Sequence, residues 1–228
     1  MSSGISGLIG RLIAKKEIQE LNRIVDRYEA CNNMLATAFA TVCAILILPF
    51  VSIYTGGVTD AQYYQPFFAF LMIAGSYAYS IRHPFGCVVS AAGHYKETKN
   101  GAIAEVSLNL GLSLLLVKPL GLIGVALGTV VAMSFRTFYT VWYLSKNILY
   151  RPMHKFFLRL ACNLAVSNLL ISEIPNWISV TATNILGLVI CAIKVSLVVF
   201  PAFLVLNILL NYRSFKLVGA FFDNQENE

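Results

Sequence analysis

Residues 34–54 read MLATAFATVCAILILPFVSIY, without one Asp, Glu, Lys or Arg, and similar runs recur down the chain. About 20 apolar residues are what a helix needs to cross a hydrocarbon core of about 30 Å. Lipid offers no water to unpaired backbone groups, so a run of this kind has to close its hydrogen bonds within itself, as a helix. The recurrence restricts the chain to an all-α, polytopic transmembrane bundle. Charged residues are 12% of the 228, about half the usual share of about 25% in soluble domains. They gather between the apolar runs, as loops and helix ends do in a bilayer protein.

Six spans are expected, at about 34–54, 67–92, 102–117, 121–144, 157–172 and 182–211. Before them, apolar positions recur at helical spacing through Ile5, Leu8, Ile9, Leu12 and Ile13, then Ile18, Leu21, Val25 and Tyr28. Charges of both signs fill the other faces, which predicts a partial helix and an amphipathic linker lying at the membrane surface over 1–33. The remaining divisions are a four-span core over 34–147, two further spans over 148–211, and a polar tail over 212–228. The start is too short and glycine-rich for a signal peptide, and its basic residues follow the apolar part.

Six spans put both termini on one side. The side holding 1–33, 93–101, 145–159 and the tail has 13 of the 17 Lys and Arg residues; the other has Lys118 alone, and Arg82, Arg136 and Lys194 fall within spans. The positive-inside rule makes both termini cytoplasmic. The net charge of +6 follows from this topology signal, and nucleic acid is not an expected partner. The five cysteines are widely spaced in or beside apolar runs, without metal-ligand or redox spacing.

The segment NLGLSLLLVKPLGLIGVALGT, residues 109–129, is expected to be a helical hairpin with its turn at VKPLG on the outer side. Proline is tolerated where one helix has ended and the next begins. Gly124 and Gly128 form a GxxxG face that Gly121 extends, and such faces let helices approach closely in lipid.

No catalytic motif appears, no metal or cofactor site is expected, and short loops disfavour a membrane enzyme. The informative residues are the intramembrane charges, each costing roughly 2.5–3.5 kcal/mol at a helix centre. Arg82, followed by His83 and Pro84, and Arg136 lie in the inner halves of their spans; snorkelling to lipid phosphates is the alternative reading for both. Lys194 lies near the middle of the last span. Glu105, Asn109 and Ser113 form one stripe at i, i+4, i+8, and Glu105 is expected either to pair with Arg82 or Arg136 or to sit at the interface. Three cations against one acid give a positive interior, suited to a phosphate-bearing substrate.

The stretches PFVSIYTGGVTDAQYY and SAAGHYKETKNGAIAEVSLNLGLSLLLVKPLGLIGVALGT resemble the C-terminal half of bacterial polysaccharide-biosynthesis flippases. These include the O-antigen and capsule repeat-unit flippases of the multidrug/oligosaccharidyl-lipid/polysaccharide exporter superfamily. SSGISGLIGRLIAKKEIQELNRIVDRYE is similar to the end of a preceding span and its linker in that family. The resemblance covers roughly 1–147. It implies a two-bundle exporter that moves polyprenyl-pyrophosphate-linked oligosaccharide across the bacterial inner membrane. Arg82, Arg136 and Lys194 are assigned to its cavity on charge and depth, with His83, Glu105 and Asn109 as supporting polar groups. The resemblance also implies a missing N-terminal half: a truncation, a partner chain and a homodimer are all open. Alternatives to the flippase reading are an inactive fragment or scaffold, and half of a multidrug/cation antiporter, which a positive interior disfavours.

Overall fold

The computed structural model describes residues 2–56, 63–178 and 184–225, with side chains from residue 4 to residue 211 within those stretches. The described residues form eight helices: α1 (Ser2–Ala14), α2 (Ile18–Tyr54), α3 (Pro66–Ile81), α4 (His83–Ala92), α5 (Tyr95–Leu120), α6 (Leu122–Asn147), α7 (His154–Trp177) and α8 (Ile185–Gln225). No strand occurs among them. Among the described residues, five segments are long and apolar enough to cross a membrane: α2, α5, α6, α7 and Ile185–Asn211 of α8.

The first element boundary differs from the expected one at residue 33. Lys16 takes φ 60°, a left-handed conformation that is uncommon outside glycine, and it separates α1 from α2. Neither glycine nor proline then occurs until Pro49, so the amphipathic stretch and the first span form one helix of 37 residues. At 1.5 Å per residue that is about 55 Å, well beyond the hydrocarbon thickness of about 30 Å. Its amphipathic end does not present its apolar side to lipid. Ile9, Leu21 and Val25 are fully buried, in a cluster with Phe85, Val88, Leu144, Leu149 and Phe156. Protein, from α4 and the α6–α7 connection, covers the face that was expected to meet the membrane surface.

The span expected over 67–92 is two helices. Pro84 lacks a backbone N–H to continue α3, and the chain restarts at His83 with Arg82 as both C-cap and N-cap. Arg82 keeps φ −75° and ψ −21°, so its carbonyl still accepts from Phe85 N at 3.0 Å and Gly86 N at 3.1 Å. The polar connector expected over 93–101 is shorter than expected. Gly93, at φ 71°, makes the turn, and α5 begins at Tyr95.

The α5–α6 hairpin turns at Gly121, with φ 58° and ψ −135°. Lys118 and Pro119 lie within the last turn of α5 instead of forming the turn themselves. Pro119 has no N–H to donate to the Leu115 carbonyl, so α5 gives up one i→i−4 bond near its end, and the chain leaves helical geometry two residues later, at Gly121. A side chain on Gly121 would meet nothing within 4 Å, so Gly121 contributes backbone conformation and no packing surface. Gly124 and Gly128 are the close-approach positions. A Cβ on Gly124 would run into the Leu116 backbone, and one on Gly128 would lie 2.8 Å from Ser113 Oγ.

α2 is central, touching α1, α3, α4, α7 and α8, while α6 packs on α5, α3 and α4. A second apolar cluster joins Ala38 and Ile45 of α2 to Ile174 of α7 and Val195, Val199 and Phe203 of α8. Where apolar side chains gain little from leaving lipid, interhelical hydrogen bonds add specificity. Thr137 Oγ1 donates to Ala78 O at 2.7 Å, Thr41 and Ser167 share a buried hydroxyl bond of 2.8 Å, and Asn207 Nδ2 donates to Ala30 O at 2.8 Å. Residues 57–62 of the expected outer loop, and 179–183, where the last span was expected to begin, lie outside the described residues. α8 bends at Asn211, φ −115° and ψ 15°. It continues into the segment expected as a polar tail, where the side chains of Arg213 and Lys216 lie outside the described residues.

Candidate functional site

The α3–α4 break places Arg82 opposite α5. Its Nη1 donates to Glu105 Oε1 at 3.0 Å, and Arg136 Nε of α6 lies 3.7 Å from Glu105 Oε2. One carboxylate thus bridges two guanidinium groups from different helices. Arg136 Nη1 also donates to Thr98 O at 2.8 Å. This reach across α5 depends on Gly101, where a Cβ would collide with the Arg136 guanidinium and the Tyr139 ring. Each arginine has an aromatic companion: Arg82 stands 5.1 Å from the Tyr79 ring centroid and Arg136 5.9 Å from that of Tyr139. Both are within range of cation–π attraction.

These groups line an open cavity of about 520 Å³, together with His83, Ser90, Tyr95 and Thr140. His83 Nδ1 and Tyr28 Oη are 2.9 Å apart, tying the start of α4 to α2. Two arginines and one glutamate leave a formal excess of one positive charge. The arginine side chains are 16% exposed and that of Glu105 22%. The groups are thus largely screened by protein, and attraction is stronger there than on an open surface. The arrangement can hold an anion whose oxygens accept from planar guanidinium donors.

Not every expected residue comes to this cavity. Asn109 faces α6, where its Oδ1 accepts from Ser113 Oγ at 3.2 Å and Thr129 Oγ1 at 3.3 Å. Lys194 is exposed on α8 and lines neither this cavity nor the second one. That second cavity, about 730 Å³, is a mostly apolar groove between α2 and α3 with Phe39, Phe50, Phe68 and Tyr77 in its walls. Among the described residues no cluster of three His, Cys, Asp or Glu could hold a metal.

The sequence reading missed a larger charge cluster. Arg159 of α7 grips Asp26 of α2 with both terminal nitrogens at 3.0 Å and reaches Glu29 Oε1 at 3.2 Å. Arg151 pairs with the same two acids, at 3.1 Å from Asp26 Oδ1 and in close contact with Glu29 Oε2. Arg159 Nη2 also donates to Asn211 Oδ1 at 2.6 Å. Glu29, Arg159 and Asn211 are buried, and the cluster is charge-balanced. The i, i+3 spacing of Asp26 and Glu29 placed them on one helical face. Their partners lie more than 120 residues away, and no local signal connects them.

The fold defines a class, a multi-pass helical membrane protein. No protein-family model matches the chain, and no curated protein or solved structure matches it either.

Proposed function

We propose that the chain is a membrane transporter, or half of one, that moves polyprenyl-pyrophosphate-linked oligosaccharide across the bacterial inner membrane for O-antigen, capsule or exopolysaccharide assembly. The observation that carries this reading is the Arg82–Glu105–Arg136 cavity: two guanidiniums and one carboxylate, net positive, lining an open cavity among apolar helices. A diphosphate offers the oxygens that such donors recognise. The sequence resemblance supplies the lipid-linked oligosaccharide. A cation antiporter would need an available intramembrane acid, and Glu105 is engaged by both arginines.

The test has a binding arm and a transport arm. Purified chain in phosphatidylcholine nanodiscs is expected to bind polyprenyl diphosphate, with inorganic pyrophosphate competing. Arg82→Ala and Arg136→Ala are each expected to weaken binding at least tenfold. In a complete transporter containing this half, Arg82→Ala should reduce surface polysaccharide at unchanged protein level. Undiminished binding and normal export in both variants would remove the proposed role.

A further inference from the structure

On α8 the buried positions Cys191, Val195, Val199 and Phe203 recur every four residues and face α2 and α7. Lys194 lies off that face. It is exposed, as are Ile190, Ile193 and Leu197 around it, and among the described residues it forms no ion pair. It stands nine residues from Ile185, the start of α8, which is about 14 Å along the axis. With the hydrocarbon boundary at that helix start, a four-carbon stem of roughly 6 Å leaves the ammonium group inside a layer whose half-thickness is about 15 Å.

α7 also carries polar side chains on its exposed side. Its buried side is Phe156, Arg159, Asn163, Ser167 and Ile174. At 100° per residue the opposite side carries Ala161, Ala165, Asn168 and Ser172, all of them exposed. Asn168 is nine residues from Trp177, again about 14 Å from the helix end. Asn168 Nδ2 donates to Leu164 O at 2.9 Å, which leaves its carbonyl oxygen and one N–H proton for a partner. An uncompensated lysine exposed within a candidate span is costly against lipid chains, and a polar side chain of another helix would relieve that cost.

We propose that the outward face of α8 around Lys194 seats a further transmembrane helix that presents a carboxylate within the membrane. Charge complementarity selects this occupant. A second copy fits poorly: its Glu105 is held between two arginines. Its Glu173 lies four residues from Trp177, about 8 Å nearer the helix end than Lys194.

The test places fluorescently tagged full-length chain in phosphatidylcholine vesicles at pH 8 with acceptor-tagged Leu/Ala transmembrane peptides bearing Glu, Gln or Leu at the centre. The Glu peptide is expected to associate at least tenfold more tightly than the other two. Lys194→Met should abolish that preference, and Lys194→Glu should transfer it to a peptide with a central Lys. Equal association of the three peptides, or a preference that survives Lys194→Met, would overturn the proposal. So would loss of the preference when phosphatidylglycerol replaces a third of the lipid, since lipid phosphate would then be the natural partner. Energy transfer between chain copies that Lys194→Met abolishes would overturn it in favour of a second copy.

Discussion

Arg159 Nη2 donates to Asn211 Oδ1 at 2.6 Å, at the residue where α8 departs from helical geometry. The same guanidinium holds Asp26 and Glu29, so one side chain of α7 joins α2 to the bend of α8. Removing one member of a buried charge group leaves the others desolvated and unpaired, at a cost of about 3–5 kcal/mol. Arg159→Met should lose about that much in reversible unfolding in mixed micelles. A double variant, Arg159→Met with Glu29→Leu, should recover part of the loss because a stranded acid goes with its partner. Equal loss in single and double variants would refute the idea that stranded charge causes it.

The two glycines flanking the start of α6 should respond differently. At Gly121 a side chain has space but the backbone, φ 58° and ψ −135°, is unfavourable for an L-residue, at a cost of about 1–3 kcal/mol. At Gly124 the backbone is helical, and the obstacle is the Leu116 main chain, which cannot rotate aside. Gly121→Ala and Gly121→Leu should therefore lose similar stability. At Gly124 the loss should grow with side-chain size, to a separated hairpin for Leu. Cysteine crosslinking between the Asn109 and Thr129 positions, which touch across α5 and α6 in the native hairpin, would report the separation.

This hairpin also shows what was legible in advance. Apolar run length and glycine spacing located α5 and α6, and the polar stripe through Glu105 pointed toward the arginines. The turn itself moved to Gly121, because only glycine readily takes the φ 58°, ψ −135° backbone that reverses the chain there. The Arg82–Glu105–Arg136 bridge could be anticipated from scarcity, with one acid and few cations at compatible depth. The Asp26–Glu29–Arg151–Arg159 group could not. Its arginines read locally as cytoplasmic topology signals and its acids as the charged face of an amphipathic linker, and only the packing of α2 against α7 buries them.

Glu105 has two opposing effects on the cavity. It neutralises half of the charge that would attract an anion, and it fixes the two guanidiniums in place. Glu105→Gln raises the formal excess from one to two positive charges while keeping the side-chain shape. Pyrophosphate affinity at low salt should rise, with a steeper decline as ionic strength increases. Stability without ligand should fall by about 1–3 kcal/mol, since two partly buried donors lose a charged acceptor. Isothermal titration at two salt concentrations checks the first outcome and thermal unfolding the second. Unchanged affinity would mean that the arginines do not contact the anion.

Lys194 supplies the contrast with Arg159, because burial separates two basic residues that look alike in sequence. Lys194 is exposed in the folded chain and equally exposed when α8 is inserted but undocked, so Lys194→Leu should change unfolding stability by no more than about 0.5 kcal/mol. Insertion of the helix is another matter, because lysine at a helix centre costs about 2.5–3.5 kcal/mol and leucine contributes about −0.3 to −0.6. The expected gain is about 3–4 kcal/mol in the insertion of segment 185–211. It becomes measurable when Ile190, Ile193 and Leu197 are replaced by Ala to bring the segment near its insertion threshold. A large loss of folding stability in Lys194→Leu would show that the side chain is packed within the bundle, and would remove the outward-facing surface on which a partner helix depends.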